Sequence, residues 1–481
     1  METLNANVAQ KLGLTNPKND ERPIKVVQFG EGNFLRAFVD WIIQQLNNAG
    51  EFNGNVAIVQ PLPFGRVKEL NDQDRLYTVI LEGLKNGKEV QSREVIDSIG
   101  AALNVYEDWE GYLALADNPD LQIVISNTTE AGIATSDEDD VDAQPPKSYP
   151  AKLTQLLKRR FDKGLPGLLI IPCELIADNG IALRATLVET AKRFGYGEEF
   201  INWLVTDNTF VSTLVDRIVP GFPRDNAEAL WNELGYVDNN MVKAEPFALW
   251  VVAGDQAAQD KVNELLPAKR LGIDLVTCEQ VQPYRERKVY LLNGPHTTMA
   301  QVARLAGLNT VGEVMNDDIV RSFIEREMHE EIIPVLTLPE EELNAFADAV
   351  LERFKNPFVK HSLDSIGLNS VSKFTARLLP NVKRNVEQGR GVPARIALAL
   401  AGLYAAYAGV APTPVNVTDA DEVKAKFAGK GAKADDVKAI LADTDLWGED
   451  LTAIDALADV VAADVAAIAE GRIKELIAAL A

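Results

Sequence analysis

Short apolar runs and longer amphipathic stretches alternate through the first half of the chain. Ile24–Phe29 is an apolar-rich run that ends at Gly30, and residues 35–46 follow with apolar positions at helical spacing. Residues 56–60, 121–126, 168–173, 247–253 and 273–277 repeat the β-branched run, each bounded by turn or loop residues. Such runs read as strands covered on both faces, because no polar residue alternates toward water. Buried strands separated by helical segments predict an α/β domain with a mostly parallel sheet and helices on both sides.

Beyond Cys278 the pattern changes. Strand-like runs stop, and Pro339-Glu340-Glu341-Glu342 opens a long helical pattern whose first-turn carboxylates suit the helix dipole. Residues 392–407 are apolar on every side, as in a buried helix, and an alanine-rich helical pattern runs from Leu451 onward. The expected organisation is an α/β domain over residues 1–280 and an all-helical domain over 281–481, with the boundary within 278–284. Residues 135–148, with Asp137-Glu138-Asp139-Asp140 at their centre, and residues 410–421 read as loops. The acidic loop lacks the residue order of an EF-hand calcium site.

A length of 481 residues agrees with two domains on a prior of about 150 residues each, or three small ones. The net charge of −23 argues against nucleic acid and anionic membrane surfaces as partners. Any anionic substrate then has to be held by a local basic cluster. Cys173 and Cys278 lie in apolar stretches and read as reduced core residues, and the three histidines show no zinc-ligand spacing, so no metal site is expected. There is no basic-then-apolar leader and no uninterrupted apolar run of about 18 residues, so the expectation is a cytoplasmic protein. The sequence carries no signal of oligomeric state.

The strand at Ile24–Phe29 runs directly into Gly30-Glu31-Gly32-Asn33-Phe34-Leu35-Arg36. In a dinucleotide-binding turn the first glycine allows the tight bend and the second lets the backbone approach a pyrophosphate. Leu35 stands where a third glycine is usual, and Arg36 is expected near a phosphate. The second strand ends Val59-Gln60-Pro61, without the acid that binds the ribose hydroxyls in NAD enzymes, and Arg66 follows. NAD is the expected cofactor, with NADP still open.

The densest chemistry lies at Lys288, Asn293 and His296, positions i, i+5 and i+8. They offer a titratable amine, a neutral carboxamide and an imidazole, the groups needed to exchange a proton with a hydroxyl or carbonyl oxygen. Pro295 leaves two geometries open: a continuous helix with all three groups on one side, or a break at Gly294 that begins a new helix. Each residue alone also has a structural reading, as a solvated lysine, a cap and a core histidine. An ordinary lysine holds its proton too firmly for this exchange, so the chemistry calls for partial burial and neighbouring cations, for which Arg285 and Arg287 are candidates.

Lys288-x4-Asn293-x2-His296, the Gly30-x-Gly32-x-Phe34-x-Arg36 turn and Leu214-Val215-Asp216-Arg217-Ile218 together resemble the polyol-specific long-chain dehydrogenase/reductase family, which includes mannitol dehydrogenases and hexuronate reductases. Ser126-Asn127-Thr128-Thr129-Glu130-Ala131-Gly132 and Ile171-Pro172-Cys173-Glu174-Leu175-Ile176 are similar to a hexuronate-reductase member. The resemblance implies a Rossmann-type N-terminal domain, a helical C-terminal domain and metal-independent, nicotinamide-dependent oxidoreduction of a small hexuronate or aldonate. It implies Lys288 as acid/base, with Asn293 and His296 at the reacting oxygen. Phe29, Gly30, Gly32, Asn33, Phe34, Arg36, Gln60, Asn127 and Thr128 would meet the cofactor. Asp216, Lys373 and Arg377 would meet substrate, Lys373 by the family region that begins at His361, and Lys360 could add charge. Mannitol-type members carry an asparagine where Leu175 stands here; Asn179, in Asp178-Asn179-Gly180, is a candidate to replace it, with a turn residue as the safer reading. A sugar-acid sensor on the same fold is the alternative from another class, and the intact lysine argues against it.

Overall fold

A computed structural model describes residues 1–15, 21–85, 87–129 and 131–481. The chain divides into two compact units. One comprises Met1–Glu82 with Glu89–Val281, the other Gly83–Lys88 with Gln282–Ala481.

Among the described residues, twelve strands belong to the first part of the chain: β1 Ile24–Phe29, β2 Asn55–Gln60, β3 Tyr77–Lys85, β4 Lys88–Ile96, β5 Ile99–Asn104, β6 Ile123–Ser126, β7 Leu169–Pro172, β8 Thr209–Phe210, β9 Ser212–Asp216, β10 Val242–Ala244, β11 Leu249–Ala253 and β12 Asp274–Cys278. Six of them form one sheet in the order β5-β2-β1-β6-β7-β8, and every neighbouring pair is parallel. Alternate residues feed two cores. Val26, Ile58, Ile125 and Ile171 enter one, which the helix Val39–Asn48 covers through Ile42, Ile43 and Leu46. Val27, Val59, Val124 and Ile170 enter the other, covered by the helices Tyr149–Asp162 and Asn179–Arg193. Burial on both faces is why these strands read as apolar-rich runs without a polar alternation. Two three-stranded sheets, β10-β3-β4 and β12-β11-β9, complete the strands.

The strand order positions the candidate nucleotide turn. From β1 the chain builds outward to β2 and β5, then returns to β6 on the other side of β1 and continues to β7 and β8. The carboxyl ends of β1 and β6 therefore flank the point where the direction of winding reverses. In open α/β sheets the ligand crevice lies at that point.

From Gln282 onward the second unit is helical among its described residues, and its Gly83–Lys88 segment carries the end of β3 and the start of β4. Its central helix, Ala394–Ala408, is buried from Arg395 through Ala405 and packs against Gly294–Leu305 and Leu457–Ala469. Gly402 permits the close approach: a Cβ there would sit 3.1 Å from the Gln301 carbonyl oxygen. Residues 135–148 and 410–420 carry no helix or strand. Asp139 ties the first of these loops together, accepting from the backbone N–H groups of Ser136 and Ser148 and from the Ser148 hydroxyl.

Three elements differ from the sequence pattern. The expected helix over 35–46 is two pieces, Asn33–Arg36 and Val39–Asn48, separated at Ala37-Phe38. Strand β4 does not read as a buried run because it is mostly exposed, with Lys, Glu, Gln, Ser and Arg along it, whereas β3, buried from Tyr77 through Leu81, is a strand that the expected pattern did not include. Around Pro295 the helix does not break. Gln282–Lys288 continues through a π-helical turn at Val289–Asn293 into Gly294–Leu305. Pro295 has no N–H for the carbonyl four residues back. The π turn takes up the change of register, with the Gly294 N–H donating to the Val289 carbonyl five residues back.

Candidate active site

The first glycine of the turn sits at φ +114°, a conformation that side chains rarely adopt, and a Cβ on Gly30 would lie 3.1 Å from the Asn127 carbonyl oxygen. Gly32 is exposed, and nothing lies within 4 Å of where its Cβ would be. One glycine thus makes the bend after β1, close against the residue that follows β6, and the next leaves its backbone open to approach. Leu35 explains the missing third glycine: its side chain is buried and its Cδ1 packs 3.4 Å from the Gly30 Cβ position. These features fit a dinucleotide phosphate.

Several expected cofactor contacts turn inward instead. Arg36 is buried and spends its guanidinium on the Glu31 and Asn240 carbonyls and on Asn33 Oδ1, lying over the Tyr77 ring. This arginine braces the turn from within. Phe29 is in the core against Tyr112 and Tyr149, so only its backbone reaches the strand end. Phe34 stacks on Phe38 with centroids 4.9 Å apart, and Asn33 is exposed. Gln60 is buried, donating to the Leu62 carbonyl and accepting from the Val67 N–H.

At the end of β6, Asn127 donates to the Cys173 carbonyl (3.2 Å), and Thr128 gives both its N–H and its hydroxyl to Glu174 Oε1 (3.0 Å each). Glu174 is buried, accepts also from Ser126, and is pushed above the usual carboxylate range by desolvation. Glu130, within the motif that pointed here, lies outside the described residues.

Asn179 is not a free carboxamide. It is buried, donates to the carbonyls of Pro172 and Glu174 and to Thr213, and accepts from the Thr213 N–H. It ties the ends of β7 and β9 together. Asp216, the last residue of β9, is buried.

In the helical unit, Lys288 ends one helix and Asn293 ends the π turn, and both are partly exposed. Their neighbours anchor the helix on two sides. Glu286 receives both guanidinium ends of Arg384 at 2.8 and 3.0 Å, and Arg287 pairs with Glu342 at 2.5 Å beneath the rings of Tyr284 and Phe346. Arg287 is thus engaged by its own carboxylate, and Arg285 is exposed. His296 is buried against Phe354 (4.4 Å between centroids) and His361 (4.8 Å). Its Nε2 is buried with no hydrogen-bond partner among the described residues. Desolvation, then His361, Arg353 and Arg377, push the imidazole well below its ordinary pKa, so it is neutral at pH 7.

Next to it, Arg377 donates from Nη1 to Thr297 Oγ1 at 3.2 Å, and Lys373 donates to the Ile366 carbonyl at 2.9 Å. Desolvation lowers both of their pKa values, and Arg377 contributes to lowering that of Lys373. Neither has a salt bridge among the described residues. Lys360 is exposed. His361 opened the motif that led to Lys373, but nothing in its spacing pointed to a role of its own. Only the fold brings it beside His296, 65 positions earlier in the chain.

Residues 24–264 match the mannitol dehydrogenase Rossmann domain, and residues 280–469 match the mannitol dehydrogenase C-terminal domain. The chain belongs to the mannitol dehydrogenase family. It is thus an oxidoreductase acting on a CH–OH group. Among curated relatives it is 43% identical to an altronate oxidoreductase of Halalkalibacterium halodurans, over 85% of this chain and 80% of that one. It is 46% identical to the altronate oxidoreductase of Enterobacter sp. over 80% of each chain. Among solved structures, a substrate-free D-sorbitol dehydrogenase superposes with a TM-score of 0.83 at 22% identity, covering 99% of this chain and 100% of that one. A Pseudomonas fluorescens mannitol 2-dehydrogenase in complex with NAD and D-mannitol gives a TM-score of 0.68 at 22% identity, covering 99% of each. Both likenesses show the family fold. No helix among the described residues is long and apolar enough to cross a membrane.

Proposed function

We propose that this member of the mannitol dehydrogenase family is an NAD-dependent tagaturonate reductase, interconverting D-tagaturonate and D-altronate in hexuronate catabolism. The observation that carries the reading is the 43–46% identity to altronate oxidoreductases over at least 80% of the chain. The cation pair of Lys373 and Arg377, neither of them in a salt bridge among the described residues and Arg377 close to a buried neutral imidazole, supports an acidic substrate in a protein of net charge −23.

When bound, the nicotinamide cofactor supplies hydride to the ketone carbon or accepts it from the alcohol. The open backbone at Gly32 and the bend at Gly30 would hold its phosphates at the ends of β1 and β6. For reduction, Lys288 gives a proton to the ketone oxygen; for oxidation, it takes one from the hydroxyl. Asn293 donates to that oxygen without changing charge, so its contribution persists across the pH range. His296, neutral and with Nε2 free of protein partners, offers a hydrogen bond to a substrate hydroxyl. Arg377 is fixed at one end by Thr297, and its remaining donors suit a carboxylate. The lysine supplies the proton transfer, so the proposed chemistry is metal-independent.

The test follows NADH and NADPH oxidation with tagaturonate, fructuronate and fructose, on the wild type and on Lys288→Ala. The expected result is turnover of tagaturonate that the substitution lowers by roughly 100-fold or more. Preference for fructuronate or fructose moves the assignment to a mannonate-forming reductase or a polyol dehydrogenase. Near-normal turnover by the lysine variant overturns the mechanism.

A further inference from the structure

The end of β2 lacks the carboxylate that normally selects an unphosphorylated ribose, yet a carboxylate lies there. Glu31, between the two glycines of the turn, reaches across to the loop after β2. Its carboxylate accepts the backbone N–H of Arg66 and its own N–H. A Cβ at Gly65 would collide with Glu31 Oε1 and with the Gln60 carboxamide, so glycine is needed beneath this pair. Burial raises the Glu31 carboxyl above its ordinary value, and the two N–H groups, Arg36 and Arg66 counter that rise.

The basic residue nearby is already engaged. Arg66, which the sequence alone left open as an anchor for a ribose phosphate, directs its guanidinium to the Asn239 carbonyl at 2.9 Å and to Asn240 Oδ1 at 3.1 Å. Its Nε is buried without a partner. Leu62 and Phe64, in the same loop, are exposed and offer apolar surface beside this carboxylate.

We propose that Glu31 is the cofactor-selecting residue, with its carboxylate at the end of β2 accepting the ribose hydroxyls of NAD and repelling the 2′-phosphate of NADP. The acid thus comes from the turn after the first strand rather than from the tip of the second. A carboxylate can accept both hydroxyls of a vicinal diol, whereas a phosphate dianion brought against it faces like-charge repulsion. The proposal rests on the nicotinamide-dependent reading above.

The test is titration of NADH and NADPH by nucleotide fluorescence, without substrate, on the wild type, Glu31→Gln and Glu31→Asp. Glutamine keeps an acceptor for the Arg66 N–H and loses only the charge, which separates selection from a structural link. The wild type is expected to bind NADH on the order of 100-fold more tightly than NADPH. In Glu31→Gln that ratio falls by roughly tenfold or more, and in Glu31→Asp most of it remains. A wild-type preference for NADPH overturns the proposal, as does an equal loss for both nucleotides in Glu31→Gln. Failure of the wild type to bind either nucleotide overturns the cofactor reading itself, and the proposal with it.

Discussion

Glu327 is buried in the helical unit, and Glu327→Gln is expected to stabilise the protein in a way that grows with pH. Its Oε1 accepts the Thr298 hydroxyl at 2.5 Å, while Oε2 is buried with no partner. Desolvation, opposed by the Thr298 hydrogen bond, raises its pKa from 4.5 to about 8. In the unfolded chain the carboxyl ionises near 4.5, and in the folded chain it holds its proton until about 8. Between those values the folded state binds more protons than the unfolded one, so stability falls as pH rises. Each pH unit in that window costs about 1.4 kcal/mol, which makes the penalty about 3 kcal/mol at pH 7. Glutamine keeps the acceptor for Thr298 and carries no charge, so the variant escapes the slope. Urea unfolding followed by circular dichroism at pH 5, 6, 7 and 8 measures the difference between variant and wild type. The difference should be small at pH 5 and widest at pH 8. A difference that is flat across the series would refute the reasoning, because a packing effect has no reason to titrate.

Three further outcomes follow from the geometry. Arg377→Leu should lower kcat/KM for tagaturonate by roughly 30- to 1000-fold, since a charged hydrogen-bond partner is worth about 2–4 kcal/mol. Turnover of neutral fructose should change far less, and equal losses on both would place Arg377 outside carboxylate binding. Gly30→Ala should destabilise the first unit by about 1–3 kcal/mol, because the residue sits at φ +114° against the Asn127 carbonyl. Its readouts are a lower melting temperature and weaker nucleotide binding. Asn179→Ala should cost about 2–4 kcal/mol by stranding the Thr213 N–H and the carbonyls it serves. Substrate preference should stay unchanged, and a selective rise in KM for tagaturonate would restore Asn179 as a substrate carboxamide.

Much of the architecture was legible in the residues. The β-branched runs at β1, β2, β6 and β7 announced the parallel sheet because burial on both faces favours apolar residues at successive positions. The loss of that pattern after Cys278 announced the helical region, and Gly30-x-Gly32 marked the turn because Gly30 takes a backbone that side chains rarely adopt and Gly32 leaves its backbone open. Direction was what the residues could not carry. Arg36 looked like a phosphate ligand and folds inward, since its donors find carbonyls and Asn33 brought near by the turn and by Asn240, some 200 positions away. Asn179 looked like a turn residue and proves to be a four-way tie between strand ends.

The same division holds at the chemical centre. Lys288, Asn293 and His296 are a local spacing and could be read from the chain, together with the proton chemistry that spacing permits. Their path through Pro295 depended on a π turn, braced by Arg384 on Glu286 and Arg287 on Glu342 from distant helices. Likewise the neutral state of His296 comes from Phe354, His361 and the cations around it, none of them its neighbours in sequence. Local pattern determines which groups are available and what backbone they tolerate. Burial, charge environment and the aim of each side chain arise from residues far apart in the chain, so they come into being only when it folds.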